Sequence, residues 1–158
     1  MLEPDNNPPT RNDYTPMIVI NHDDYIKIDN DIKKTNNYLV IKSRNNKYFA
    51  FNDYKTSKQD LQLEIPVGSK LNSLLNKWLK INTSGYLILN NRKEPMSSNG
   101  LTKYLNTIFK DTGKKISTSL IRHAYLSNRY NADHEDKQKI ADMMMHSTLQ
   151  QVEYTKND

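Results

Sequence analysis

The chain has 158 residues and a formal net charge of +5, a length that indicates one domain, or most of one, with a buried core. It has no cysteine, which excludes thiolate catalysis, cysteine-bound zinc and disulfides. It also lacks an apolar stretch long enough for a membrane span and an N-terminal signal peptide, so we expect an intracellular protein. The basic charge suits a polyanionic partner, and equally a merely soluble basic protein.

The N-terminal residues 1–10 are polar and rich in proline, which indicates a linker or lead-in to a domain over residues 11–158. Three short runs of β-branched and aromatic residues then predict strands at 38–42, 47–51 and 61–65. Residues 45–46 and 55–60 are expected to form the turns between them. The pattern predicts a small three-stranded antiparallel sheet.

After Pro66 the apolar side chains recur at the spacing of a core-facing helix. They are Leu71, Leu74, Leu75, Trp78 and Leu79. A second helix has the same spacing, with Leu101, Tyr104, Leu105, Ile108 and Phe109. Ser97 or Ser98 is its expected N-cap, and Gly113 its stop.

Residues 86–89 form a short apolar run that indicates an isolated strand. Further helices are predicted at about 117–131, at about 135–145 and around Tyr154. The expected fold class is therefore α+β: a mainly helical domain with a small sheet.

Three short motifs follow one another in the second half of the chain: Arg122-His123, His146-Ser147 and Tyr154. This series resembles the signature of the tyrosine recombinase family, the integrases of phage lambda type and their relatives. Upstream, the residues around Arg11 resemble the family's first arginine box, in the form seen in large DNA viruses, virophages and mobile elements. The turn after residue 54 resembles the hairpin with the family's lysine, for which Lys55 is the first candidate and Lys58 the second. The resemblance covers about residues 8–156.

The resemblance implies an enzyme that cleaves and rejoins DNA at specific sites, without metal, cofactor or ATP. Tyr154 would attack phosphorus to give a 3′-phosphotyrosine, and Lys55 would protonate the departing 5′ oxygen. Arg11 and Arg122 would stabilise the transition-state charge, and His146 would donate a hydrogen bond to a non-bridging oxygen. Double-stranded DNA is the implied partner, with self-association into a tetramer on it and no small-molecule substrate. The family usually has a further N-terminal DNA-clamping domain, which is expected to be absent from this chain.

The chain departs from the family signature at two places. Ser119 stands where the family has the first histidine of its His-x-x-Arg motif, and a hydroxyl does not accept a proton at neutral pH. Met145 replaces the glycine before the second histidine, and Tyr154 follows His146 by eight residues rather than nine. These changes predict slower chemistry and a different path for the last loop.

Each proposed site residue also has a plainer interpretation. Arg122 would reach the surface along its helix, and Arg11 would be a cation of a disordered tail. His146 would only interact with a helix dipole, Lys55 would be a solvated turn residue, and Tyr154 would pack in the core. A type IB topoisomerase with the same chemistry and a catalytically decayed DNA-binding relic remain alternatives for the whole domain.

Overall fold

A four-stranded mixed sheet with helices forms the fold in this computed structural model, which describes residue 7 and residues 9–54 and 62–128. The strands are β1 (Met17–Asn21), β2 (Asn37–Ser43), β3 (Asn46–Phe51) and β4 (Leu63–Pro66). The helices are α1 (His22–Tyr25), α2 (Asn30–Lys33), α3 (Ser69–Ile81), α4 (Ser98–Ile108) and α5 (Thr118–Asn128). This architecture confirms the predicted α+β class.

The sheet has the order β1-β2-β3-β4, and its last three strands are the predicted antiparallel set. The pattern did not predict β1, which extends the sheet by pairing parallel to β2. A parallel pair needs a crossover, and the single-turn helices α1 and α2 form it. The local sequence of residues 17–21 does not reveal a pairing partner that lies beyond a crossover. The sheet therefore has one strand more than the three that we predicted.

The two faces of the sheet form two apolar clusters because successive strand side chains point to opposite sides. One cluster contains Leu39, Phe49 and Phe51 and packs against Leu71 and Leu75 of α3. The other cluster is smaller and contains aromatic side chains of α1, β2 and β3: Tyr25, Tyr38 and Tyr48. The sheet is therefore covered on both faces near its centre.

The helix predicted after Pro66 is α3, but its core-facing stripe is narrower than expected. Leu71 and Leu75 are buried, whereas Leu74 is 62% exposed. The Trp78 indole Nε1 donates to the Leu87 carbonyl at 2.8 Å and lies at the helix edge. Leu74 was thus wrongly assigned to the core, because the sheet contacts one row of the helix rather than two.

The second predicted helix is α4, and its N-cap is Ser97, whose Oγ accepts from the Gly100 amide at 3.1 Å. Gly113, with φ of 68°, ends the 3₁₀ turn that follows, as predicted for a residue that tolerates left-handed backbone. The run at 86–89 forms no regular strand but two isolated antiparallel bridges, from Tyr86 to Ile18 and from Leu89 to Pro95. Helix α5 matches the next predicted helix, while those expected near 135–145 and at Tyr154 lie outside the described residues.

A buried lysine, Lys47, joins β3 to α3. Its Nζ donates to the Arg44 carbonyl at 2.6 Å and to the Asn72 and Asn76 Oδ1 atoms, each at 2.7 Å. Burial disfavours the charged ammonium and lowers the pKa of Lys47. The three neutral acceptors offset part of the free-energy cost of burying this charge.

Replacement of Lys47 by alanine is expected to lower the free energy of unfolding by about 2 kcal/mol, because three acceptors lose their donor. Urea denaturation followed by circular dichroism measures the change. Lys77 is exposed on α3, and Lys77→Ala is the matched control, with a change within about 0.5 kcal/mol. Equal stability of the two variants would contradict the anchoring role of Lys47.

Candidate functional site

A polar cleft of about 740 Å³ opens between the N-terminal segment, the first turns of α4 and α5, and the end of the sheet where β2 begins. Its polar lining comes from five parts of the chain and includes Arg11, Asp13, Asn37, Asp53, Ser98, Ser119 and Arg122. The two arginines that the sequence analysis selected, far apart along the chain, therefore line one cleft.

Arg11 lies in a segment that packs into the domain. On one side, the buried Asn7 donates from Nδ2 to the Pro66 carbonyl and accepts at Oδ1 from the Gly68 amide, both at 2.9 Å. On the other side, the buried ring of Tyr14 stacks edge-on against two core phenylalanines. Arg11 itself is half-buried, so its plainer interpretation as a cation of a disordered tail does not fit the fold.

Arg122 is buried on α5, with 3% of its surface exposed. Its Nη2 donates to the Ser119 Oγ at 3.2 Å, one helical turn earlier. A buried arginine is costly unless polar groups surround it, and here the polar cleft does so. The guanidinium thus does not extend to the protein surface, which was its plainer interpretation.

Asp13 lies within the electrostatic reach of both arginines. Burial raises the pKa of the Asp13 carboxyl, and the charges of Arg11 and Arg122 oppose that rise. Its buried Oδ2 atom makes no hydrogen bond among the described residues. Asp13 therefore acts as a counter-charge to the arginines, and a bound phosphate would compete with it for both.

Two helices begin at the cleft. Ser98 is the first residue of α4, and Thr118 and Ser119 form the start of α5, where Ser117 Oγ accepts from the Leu120 amide at 3.2 Å. Helix N-termini carry partial positive charge and unpaired backbone donors, which favour anions. The N-termini of α4 and α5 thus add to the positive potential that the two arginines create in the cleft.

The remaining predicted site residues lie outside the described part of the chain: Lys55, its alternative Lys58, His146 and Tyr154. Tyr54, which immediately precedes Lys55 in the sequence, lines the cleft. The structure thus brings together Arg11, Arg122 and Ser119 in one cleft, and the catalytic roles of all the predicted site residues stay predictions.

The family of the chain follows from comparison with known proteins. The chain matches the family model described as Phage integrase family over residues 25–158. The chain belongs to this family. No curated protein and no solved structure matches it.

Phage integrase family membership brings with it the tyrosine recombinase catalytic domain and DNA binding. The match contains Arg122, Ser119 and the predicted Lys55, His146 and Tyr154, whereas Arg11 lies upstream of it. The assignment of Arg11 therefore depends on its motif and on its place in the cleft.

In the described ranges, no group of three or more His, Asp or Glu side chains is placed to hold a metal ion. In the same ranges, no helix is long and apolar enough to cross a bilayer. The metal-independent mechanism stays a prediction.

A second groove of about 580 Å³ lies on the other side of the first turn of α4. Its basic and aromatic lining comes from the loop after residue 89 and from α4: Arg92, Lys103 and Tyr104. Asn90 Oδ1 accepts from the Arg92 and Glu94 amides at 2.8 and 3.0 Å, which holds the loop in a tight turn. Ser97 and Gly100 line this groove while Ser98 lines the cleft, so the two are neighbours.

Proposed function

We propose that the domain is a site-specific DNA recombinase or integrase that cleaves and rejoins DNA through a 3′-phosphotyrosine intermediate. The main support is the convergence of Arg11 and Arg122 on one cleft, from segments at the two ends of the described chain. Guanidinium groups remain charged at any working pH and present planar donors to phosphate oxygens. Such a pair suits the five-coordinate phosphorus of the transition state.

In the proposed reaction, the Tyr154 hydroxyl oxygen attacks the scissile phosphorus, and its proton passes to solvent water as the oxygen-phosphorus bond forms. The bond from phosphorus to the 5′ oxygen breaks, and Lys55 gives that oxygen a proton. His146 donates a hydrogen bond to a non-bridging oxygen. A 5′ hydroxyl from another strand reverses the steps, so the number of phosphodiester bonds is conserved and ATP is not needed. Exchange between two duplexes involves four strands, which favours a tetramer on DNA.

Ser119 has a different role from the histidine it replaces. Its Oγ accepts a hydrogen bond from Arg122 and thereby orients the guanidinium, but it does not act as a base. The absent imidazole is the one observation that favours a decayed DNA-binding relic as the second candidate function.

The test is a search for covalent product on trapping substrates. Duplexes with a randomised centre carry a nick a short distance downstream, so that cleavage releases a fragment that diffuses away and leaves the adduct. A protein-DNA adduct that survives denaturant and carries the DNA by its 3′ end is the expected result. If the protein binds DNA but forms no adduct at any duplex sequence, the proposed enzymatic function is wrong and the catalytically decayed DNA-binding relic is supported. Sequence selection in the trapped pool, with strand exchange between two such sites, separates a recombinase from a topoisomerase.

The second groove is proposed to hold DNA backbone beside the scissile phosphate. The double variant Arg92→Ala/Lys103→Ala is expected to bind DNA more weakly, with a salt slope lower by about 0.9 for each lost phosphate contact. Fluorescence anisotropy titrations over a range of salt concentrations measure the slope.

The control for this prediction is Lys77→Ala/Lys80→Ala, which removes two exposed charges of α3. An equal fall in affinity and slope for both double variants would mean that net charge, rather than the groove, sets the binding.

A further inference from the structure

We propose that Asn37 is a positioning residue for cleavage, which holds the Arg11 segment in register with the end of the sheet. This inference rests on the proposed function. Asn37 is proposed to act through the backbone of Asp13, two residues after Arg11, because the Asp13 carbonyl accepts from the Asn37 side chain.

The carboxamide of Asn37 uses its full hydrogen-bonding capacity. Its Nδ2 donates to the Asp13 carbonyl at 3.0 Å and to the Asp53 carbonyl at 2.8 Å. Its Oδ1 accepts from the Asn52 and Asp53 amides, each at 2.9 Å. Two donors and two lone pairs are all that an amide side chain has. With 7% of its surface exposed, Asn37 joins three chain segments inside the cleft wall.

Only an asparagine fits this set of partners. An aspartate of the same size would present oxygen to the carbonyls of Asp13 and Asp53 and add negative charge beside their side chains. A leucine would remove both donors and both acceptors and leave four backbone groups without the partner they have here. The chemistry of the site therefore specifies the residue type as well as its size.

Hydrogen bonds restrain the backbone on both sides of the contact between Asn37 and Asp13. Asn37 begins β2 and pairs with Met17 of β1, so its own position is fixed by the sheet. The Asp13 carbonyl lies in a turn in which the Thr15 amide and Oγ1 donate to the Asn12 carbonyl, at 2.8 and 2.7 Å. A shift of this turn therefore carries Asp13 and the neighbouring Arg11 with it.

Two asparagines, Asn7 and Asn37, hold the segment around Arg11 to different parts of the fold. Asn7 ties the segment to the junction of β4 and α3. Asn37 ties it to the end of β3, and residues 53 and 54 there also line the cleft. Asn37 thus couples two walls of the cleft, whereas Asn7 holds only one.

The loss of Asn37 is expected to slow chemistry more than binding. A misplacement of about 1 Å in a positioned group costs on the order of a hundredfold in rate. DNA affinity depends on many phosphate contacts along the surface, so a small shift of one arginine changes it little.

The experiment compares single-turnover adduct formation on two substrates, one with the natural scissile phosphate and one with a methylphosphonate there. The methyl group removes the negative charge that a guanidinium stabilises. The rate on the natural phosphate divided by the rate on the methylphosphonate therefore measures how well the arginines are placed at the scissile group. Arg11→Ala is expected to lower this ratio strongly, and Asn37→Ala to lower it by at least about tenfold. The double variant should show no further fall beyond Arg11→Ala, because the two residues act in one chain of contacts.

Two further variants keep the test decisive. Asn37→Ser keeps a hydroxyl donor and acceptor without adding charge and is used if Asn37→Ala does not fold, with circular dichroism as the check. Lys47 lies at the opposite end of the sheet, where it pairs with Ile41, so Lys47→Ala should lose stability with an unchanged ratio. An unchanged ratio in the Asn37 variants, with wild-type adduct present, overturns the positioning role alone. Absence of adduct with the wild-type protein overturns the proposed function and this inference together.

Discussion

Replacement of Tyr154 by phenylalanine is expected to abolish the covalent protein-DNA adduct completely. The substitution removes one oxygen, the atom that would bond to phosphorus, and keeps the aromatic ring. DNA affinity should stay within about twofold, because the phosphate contacts of the surface are unchanged. Trapping on nicked duplexes, followed by denaturing electrophoresis, measures the adduct, and anisotropy measures binding.

A second tyrosine provides the matched control. Tyr54 lines the cleft, and burial raises the pKa of its hydroxyl, which disfavours the phenolate. Tyr54→Phe should therefore retain the adduct. If the adduct persists in Tyr154→Phe and disappears in Tyr54→Phe, the nucleophile is Tyr54 and the assignment of Tyr154 is wrong.

Replacement of Arg122 by lysine is expected to slow adduct formation by about a thousandfold. Lysine keeps the charge but loses the planar fork that contacts two oxygens at once. The ammonium would also lose the geometry in which Nη2 meets Ser119. Single-turnover rates at saturating DNA isolate this chemical effect from binding.

The loss of rate in Arg122→Lys should come from the position of Arg122 in the cleft and not from the exchange of arginine for lysine as such. Arg44 is an exposed arginine between β2 and β3, and Arg44→Lys should leave the rate unchanged. Ser119→Ala removes one hydrogen bond from Arg122 and should cost about tenfold or less. A rate for Arg122→Lys close to that of Arg44→Lys would remove Arg122 from the proposed mechanism.

The regular elements of the fold were largely predictable because their signals are local. Runs of β-branched and aromatic residues identified β2, β3 and β4, and helical spacing identified α3 and α4. Strand β1 was missed because its identity depends on a partner reached through a crossover. Leu74 was misassigned because spacing along one helix does not reveal how wide a face the sheet covers.

The candidate site was predictable where a family motif marks it, and not where tertiary contacts create it. Arg11 and Arg122 were found from the order of motifs, and both line the cleft. Neither Asn37 nor Asp13 belongs to a motif that marks a role for its side chain, and neither was selected. Their significance comes from the Asp13 carbonyl and the Asn37 amide meeting across the fold, which no pattern in the sequence encodes.

The placement of the two arginines also orders events during synthesis. Arg11 precedes the sheet, α3 and α4 in the chain, and Arg122 is synthesised only after them. A nascent or truncated chain that ends before α5 therefore contains the four described strands but only one of the two arginines. Under the proposed function, such products lack both Arg122 and Tyr154 and are expected not to cut DNA.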